Sequence, residues 1–255
     1  MKTRRKTEWF DDDSLWREFF PFLFSDQKLA STPAQVRKAL KLTKPRGKSV
    51  LDLCCGPGRC SIVLAKKGFK VTAVDRTQYF LDVAKERAQA AKVKVEWIQA
   101  DMRDFVRPQA FDLVLNMWTS FGYFDDPDDD LRVLRNIHRS LRPGGVCLID
   151  IIGKECAARF QQSNFAERQP DGTIMFQHHE VAKDWTKLHQ EWILLYPDGR
   201  TKKFRFTLTL YSGRELRERM ELAGFTEVQL YGNLDGDNYG RYAQRLVAVG
   251  RKLKK

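Results

Sequence analysis

The chain has 255 residues, a mean hydropathy of −0.51 and a net charge of +12, from 45 Lys and Arg against 33 Asp and Glu. That length suits one α/β domain with an elaboration, and no apolar run approaches the ~20 residues needed to span a bilayer. The charge excludes less than it suggests: Lys2, Arg4, Arg5 and Lys6 at one end and Arg251, Lys252, Lys254 and Lys255 at the other leave only +4 of the +12 for residues 7–250. Those runs read as solvated tails, so nucleic acid is not an expected partner.

Residues 1–47 read as a helical N-terminal cap. Trp9 and Phe10 lead into Asp11–Asp13 rather than into a signal-type apolar stretch, and a cytoplasmic protein is expected. Ser14 is positioned to cap a short helix carrying Leu15, Trp16, Phe19 and Phe20, which Pro21 interrupts. Thr32-Pro33-Ala34-Gln35 reads as a second helix start.

Residues 48–152 alternate between apolar strands and helical patterns. Strands are expected at Val50–Leu53, Phe69–Val74, Val93–Gln99, Phe111–Asn116 and Val146–Ile151. Helices fall between them: Arg59 to Lys67, stopped by Gly68; Gln78 to Ala91; and one opened by Asp126-Pro127 with Leu131, Leu134, Ile137 and Leu141 on its apolar face. The alternation implies a Rossmann-like, doubly wound α/β sheet, mostly parallel, with helices on both faces. The pattern changes at 153–210, where 176–182, 187–196 and 201–210 read as antiparallel strands with a Pro197-Asp198-Gly199 turn. Residues 211–255 return to the core with a Ser212…Glu215 capping box, a helix and two strands.

The informative stretch is Val50-Leu51-Asp52-Leu53-Cys54-Cys55-Gly56-Pro57-Gly58-Arg59, a strand running through a glycine turn into a helix start. Asp75 ends the next strand, where a carboxylate beside such a turn can accept both hydroxyls of a ribose. A nucleoside-bearing cofactor follows. The third glycine of the dinucleotide fingerprint is replaced by Ser61. Asp101-Met102 follows the third strand, and Asn116-Met117-Trp118-Thr119-Ser120-Phe121-Gly122-Tyr123-Phe124 follows the fourth.

In these four strand ends, over about 48–152 and again over 211–250, the chain resembles the class I S-adenosylmethionine-dependent methyltransferases, with Cys54 where that family usually has its first glycine. The resemblance implies S-adenosylmethionine as cofactor. It implies Asp52, Gly56 and Gly58 around the methionine portion, Asp75 on the ribose, Asp101 with the Met102 backbone at the adenine, and Asn116 where a backbone carbonyl meets the methionine amino group. It also implies an antiparallel last strand, an N-terminal segment over the cofactor, and a 153–210 insertion acting as a lid over the acceptor.

The acceptor site is less legible. Trp118, Tyr123 and Phe124 just past the fourth strand, with Trp192, Phe206 and Tyr239 further on, are candidate acceptor contacts; Tyr123, His178, His179 and Tyr211 are candidate bases, each with plain packing as the alternative. Cys54, Cys55 and Cys60 lack zinc-ligand spacing, and no metal is expected. The expected activity is methyl transfer to nitrogen or oxygen of a small molecule. RNA or protein methylation, and S-adenosylmethionine binding without turnover, stand as alternatives, and the oligomeric state stays open.

Overall fold

The computed structural model describes residues 8–159 and 164–254; Lys2, Arg4, Arg5, Lys6 and Lys255 of the basic runs lie outside them. The chain opens with a short 3-10 turn (Trp9–Asp11), α1 (Asp13–Glu18) and α2 (Phe20–Leu23), followed by α3 (Asp26–Thr43). Asp12, not Ser14, caps α1: its carboxylate accepts the Ser14 backbone N–H at 2.9 Å. The second helix begins six residues before Thr32, and Pro33 lies inside it. A proline there gives up its bond to the carbonyl four residues back and crowds that carbonyl, a cost the helix carries. Thr32 is buried and turns its hydroxyl to the Lys28 carbonyl instead of capping.

The core then runs β1 (Ser49–Leu53), α4 (Arg59–Lys66), β2 (Lys70–Asp75), α5 (Gln78–Ala90), β3 (Glu96–Gln99), β4 (Phe111–Asn116), α6 (Pro127–Ser140) and β5 (Leu141–Ile151). After the insertion come α8 (Gly213–Leu222), β10 (Thr226–Tyr231) and β11 (Leu246–Arg251), within a seven-stranded sheet ordered β10-β11-β5-β4-β1-β2-β3. β1 pairs in parallel with both β2 and β4, and β11 runs antiparallel to β5 and β10. β1 and β4 are central because Val50, Leu51, Leu53, Leu113, Val114 and Leu115 are apolar on both faces, as a strand covered by helices on each side requires. Strand order reverses at β1 and β4, so the crevice of such a sheet opens beyond their carboxyl ends.

The insertion holds α7 (Lys154–Arg159) and a separate antiparallel sheet of β6 (Asn164–Arg168), β7 (Ile174–Val181), β8 (Lys187–Leu195) and β9 (Thr201–Thr209). β6 was not anticipated from the sequence. It is an edge strand exposed along its whole length and so lacks an apolar-polar alternation. Met175, Leu188, Leu194, Phe206 and Leu208 give the sheet a buried face, and what covers it is the N-terminal segment through Leu15, Phe19 and Phe22. Phe19 meets Trp192 and Phe204 edge-on, with ring centroids 5.0 and 5.3 Å apart. Each large apolar side chain buried here contributes about 1.5–3 kcal/mol.

Arg251 and Lys252 of the C-terminal run are not part of a solvated tail. Arg251 is the last residue of β11 and donates to the Thr43 carbonyl at 2.9 Å; the Lys252 ammonium donates to the carbonyls of His138 and Leu141 at 2.9 and 2.8 Å. A lysine there satisfies the open carbonyls and opposes the negative end of α6.

Candidate functional site

At the carboxyl ends of β1, β2 and β4 lies a cavity of about 1110 Å³, counting its open mouth. Its inner wall is the chain just past those strands: Asp52 to Gly56, Asp75 to Thr77, Ala100 to Met102, and Met117, Trp118 and Ser120. Its outer wall is Phe10, Trp16, Leu23 and Phe24 of the N-terminal segment, with Tyr123 and Phe124 beside them.

The turn after β1 is held by Asp75. One carboxylate oxygen accepts the Gly56 N–H at 2.8 Å and the other the Thr77 N–H at 2.9 Å. Burial raises the Asp75 pKa, and the backbone N–H groups of Thr77, Gly56 and Arg76, with the Arg76 charge, work against that rise. With two lone pairs on each oxygen, the carboxylate keeps acceptor capacity beyond these bonds. Asp52 is buried deeper and accepts the Ser61 hydroxyl at 2.5 Å; burial pushes it up to about 6 against that bond and the pull of Arg59. Asp101 grips Arg103 through contacts of 2.7–3.1 Å, and the guanidinium also reaches Asp129 and lies 4.3 Å over the Phe124 ring.

Two glycines of the turn do different work. Gly56 lines the cavity at φ 54°, and a Cβ there would come 3.3 Å from the Phe24 ring that roofs it. Gly58, at φ 72°, does not line the cavity: a Cβ would meet Trp97 at 2.6 Å and Ala84 at 3.0 Å. Its small size serves the packing of α4 against α5 and β3. Cys54 takes the left-handed backbone, φ 61°, where the resemblance leads one to look for glycine. Its sulfur lies 3.5 Å from that of Met102, and burial drives its thiol pKa far up, so it stays protonated.

The structure brings Asp52, Gly56, Asp75, Asp101, Met102, Trp118, Tyr123 and Phe124 to the cavity. Asn116 is fully buried beneath it, its amide donating to the Leu53 carbonyl, and the buried Met117 just past β4 takes the cavity-lining place. Trp192 and Phe206 lie one layer further out: Phe206 stacks on Trp9 at 4.6 Å, and Trp9 in turn packs on Tyr123 at 4.7 Å. Tyr211 donates to buried Asp130 at 2.6 Å and Tyr239 to Glu155 at 2.5 Å, both away from the cavity. His178 is exposed beside Asn164, and His179 is half-buried against Phe165 on the sheet of the insertion. No residue of the insertion lines the cavity: the layer facing the crevice is the N-terminal segment, and the insertion packs behind it.

Arg59, which the sequence reading passed over as a helix start, lines the cavity as the first residue of α4. Its guanidinium is 3.9 Å from the Trp118 ring, and the Trp118 indole N–H donates to Gln35 on α3 at 3.2 Å.

These residues fit a nucleoside cofactor. The carboxylate at the end of β2 retains lone pairs for ribose hydroxyls, and Val74, Phe80, Ala100 and Met102 supply an apolar seat for a base beside it. Among the described residues, no group of His, Cys, Asp and Glu could hold a metal ion.

Residues 50–145 match a family model described as a methyltransferase domain. Over 234 residues the chain is 24% identical to YqeM of Bacillus subtilis (strain 168), a protein with a provisional methyltransferase name; the match covers 90% of this chain and 94% of that one. A crystal structure of an S-adenosylmethionine-dependent methyltransferase from Clostridium acetobutylicum superposes with a TM-score of 0.78 at 15% identity, covering 94% of this chain and 98% of that one. The sugar N-methyltransferase KedS8 from a Streptoalloteichus species superposes with a TM-score of 0.70 at 20% identity, covering 100% and 96%.

Proposed function

We propose that this chain, a class I S-adenosylmethionine-dependent methyltransferase, methylates the amine nitrogen of a small molecule. The cofactor brings a methyl group already activated by its sulfonium charge. What remains for the protein is to hold the acceptor in line, exclude water, and leave the nucleophile unprotonated.

The observation that carries the reading is the aromatic outer wall. Phe10, Trp16, Phe24, Tyr123 and Phe124 line the crevice, Phe24 lying over Gly56 of the glycine turn, and the N-terminal segment is anchored there. Arg76 donates to the Phe10 carbonyl and pairs with Asp11, and the Trp16 indole donates to the same carbonyl at 3.0 Å. A wall braced from behind by a second sheet suits a compact acceptor and obstructs a folded RNA or protein.

The choice of nitrogen rests on what faces that wall. The lining acids Asp52, Asp75 and Asp101 are engaged with Ser61, with the Gly56 and Thr77 amides, and with Arg103. Tyr123 is half-buried, and desolvation raises its phenol well above its usual range, so it is not a base at neutral pH. A hydroxyl acceptor needs a base at the transition state, whereas a free amine carries its own lone pair. The amino-sugar acceptor implied by the name of KedS8 is in keeping with this reading.

Purified protein incubated with S-adenosylmethionine and separate pools of small amines, small alcohols and phenols, and bulk RNA tests it. Formation of S-adenosylhomocysteine confined to the amine pool, and rising with pH as the amines lose their protons, is the expected result. Turnover confined to the hydroxyl or RNA pool would overturn the reading.

A further inference from the structure

We propose that Arg59 is the carboxylate-binding residue of this cavity, and that its occupant is the carboxylate at the amino-acid end of the cofactor. The inference rests on the cofactor reading above and names a residue within it.

Arg59 is only 8% exposed, it lines the cavity, and its Nη1 has no hydrogen-bond partner among the described residues. A buried guanidinium normally has every donor paired, because an unmet charged donor is costly. The nearby acids are taken: Asp52 accepts the Ser61 hydroxyl, and Asp150 accepts the Arg245 Nε at 2.7 Å and the Trp118 N–H at 3.2 Å. Burial lowers the Arg59 pKa, with Cys60, Asp52 and Asp150 pulling the other way.

Arg59 also stands where a cation is least welcome. It is the first residue of α4, whose first turn carries no acid, so its charge adds to the positive end of the helix dipole. Two unmet positive features converge on one wall of the cavity, directly after the glycine turn. A carboxylate on a molecule seated in that turn answers both, and the planar guanidinium fork is shaped to receive it.

The guanidinium is held in place. Its back rests on Trp118, which with Thr119 adopts the left-handed backbone, φ 63° and 60°. Asp150 braces this pair by accepting the Trp118 N–H on its side chain and the Thr119 N–H on its carbonyl, the latter at 2.8 Å. Arg245 completes the brace by donating to Asp150 and, at 2.9 Å, to the Thr119 hydroxyl. Asp150 and Arg245 are thus positioning residues that act through Trp118.

Calorimetric titration with three nucleosides tests the assignment: S-adenosylhomocysteine, its carboxamide, and 5′-methylthioadenosine, which lacks the amino-acid end. The wild-type protein is expected to bind the acid about 10–100-fold more tightly than the carboxamide, the span that one charge-assisted hydrogen bond provides. Arg59→Gln should erase that preference and leave 5′-methylthioadenosine binding within about threefold. Arg59→Lys, which keeps the charge and loses the fork, should retain part of the preference. Trp118→Leu should narrow it. Wild-type protein that binds 5′-methylthioadenosine but does not distinguish acid from carboxamide would overturn the proposal alone. So would a preference left intact in Arg59→Gln. Wild-type protein that binds none of the three would overturn the cofactor reading, and this assignment with it.

Discussion

Gly58→Ala separates two readings of the glycine turn. If both glycines exist to admit the cofactor, Gly58→Ala should weaken binding; if Gly58 exists for packing, it should weaken the fold. A Cβ at Gly58 would sit 2.6 Å from Trp97 and 3.0 Å from Ala84, on a backbone at φ 72°. Holding an L-residue in the left-handed region costs roughly 1–2 kcal/mol, and forcing a methyl into a filled core roughly 1–3 kcal/mol. The stiffer unfolded chain returns about 0.4–1 kcal/mol. The net expectation is a loss of about 2–4 kcal/mol in urea unfolding at an unchanged slope. Affinity of the folded fraction for S-adenosylhomocysteine should stay at the wild-type value, because Gly58 does not line the cavity. Shortening the ring, as Trp97→Leu, should relieve the steric part in the double variant and leave the backbone part. Gly56→Ala is the contrasting control: it lines the cavity and touches Phe24, so its main effect should be on affinity. A Gly58→Ala protein within about 0.5 kcal/mol of wild-type stability, yet tenfold weaker for the cofactor product, would refute the reasoning.

Three further outcomes follow from the same geometry. Asp75→Ala should lower both cofactor affinity and stability, the latter by about 1–3 kcal/mol, because the Gly56 and Thr77 N–H groups lose their buried acceptor; binding and unfolding measured on one preparation check it. Deleting residues 251–255 should cost about 2 kcal/mol in thermal or urea unfolding while leaving cofactor affinity intact, since the Arg251 and Lys252 bonds to Thr43, His138 and Leu141 are lost. Burial raises Asp130 from 3.8 to about 6, so the folded state holds that proton more tightly than the unfolded one; its contribution is full below about pH 4 and is lost as pH rises through 6. Asp130→Asn should therefore remove roughly 3 kcal/mol of the change in stability between pH 4 and 8, and a variant as pH-sensitive as wild type would contradict this.

Much of the cavity lining was legible because each of its acids lies at or within two residues of a strand end. Asp75 closes the buried β2, Asp52 and Asp101 lie beside the ends of β1 and β3, and a parallel sheet must gather such ends along one edge. Gly58 shows the limit of that logic: it occupies the right place along the chain, yet Trp97 and Ala84 fill the space beside it. Position along a strand fixes depth in the sheet, but not which of two neighbours a side chain meets. Arg59 had a signal that could have been read, namely a cation in the first turn of a helix with no acid to offset it.

The insertion shows why the remainder was hidden. Alternation of Phe204, Phe206 and Leu208 along β9 states that one face of that strand is covered, and it contains nothing about the covering layer. A lid lying directly on the crevice satisfies the pattern, and so does a buttress behind an intervening segment. The decision lies in contacts far apart in sequence: Trp9 on Phe206, Phe19 on Trp192, and Glu18 with Tyr196 and Lys202. These pairs place the N-terminal aromatics between sheet and cavity. The segment from Trp9 to Phe24 therefore has to satisfy two surfaces at once, one facing the cavity through Phe10, Trp16 and Phe24 and one facing the second sheet through Leu15, Phe19 and Phe22. That double demand accounts for its density of large apolar residues in a stretch made of a 3-10 turn and two short helices. Neither a solvated tail nor a one-sided surface helix would need aromatics on both faces.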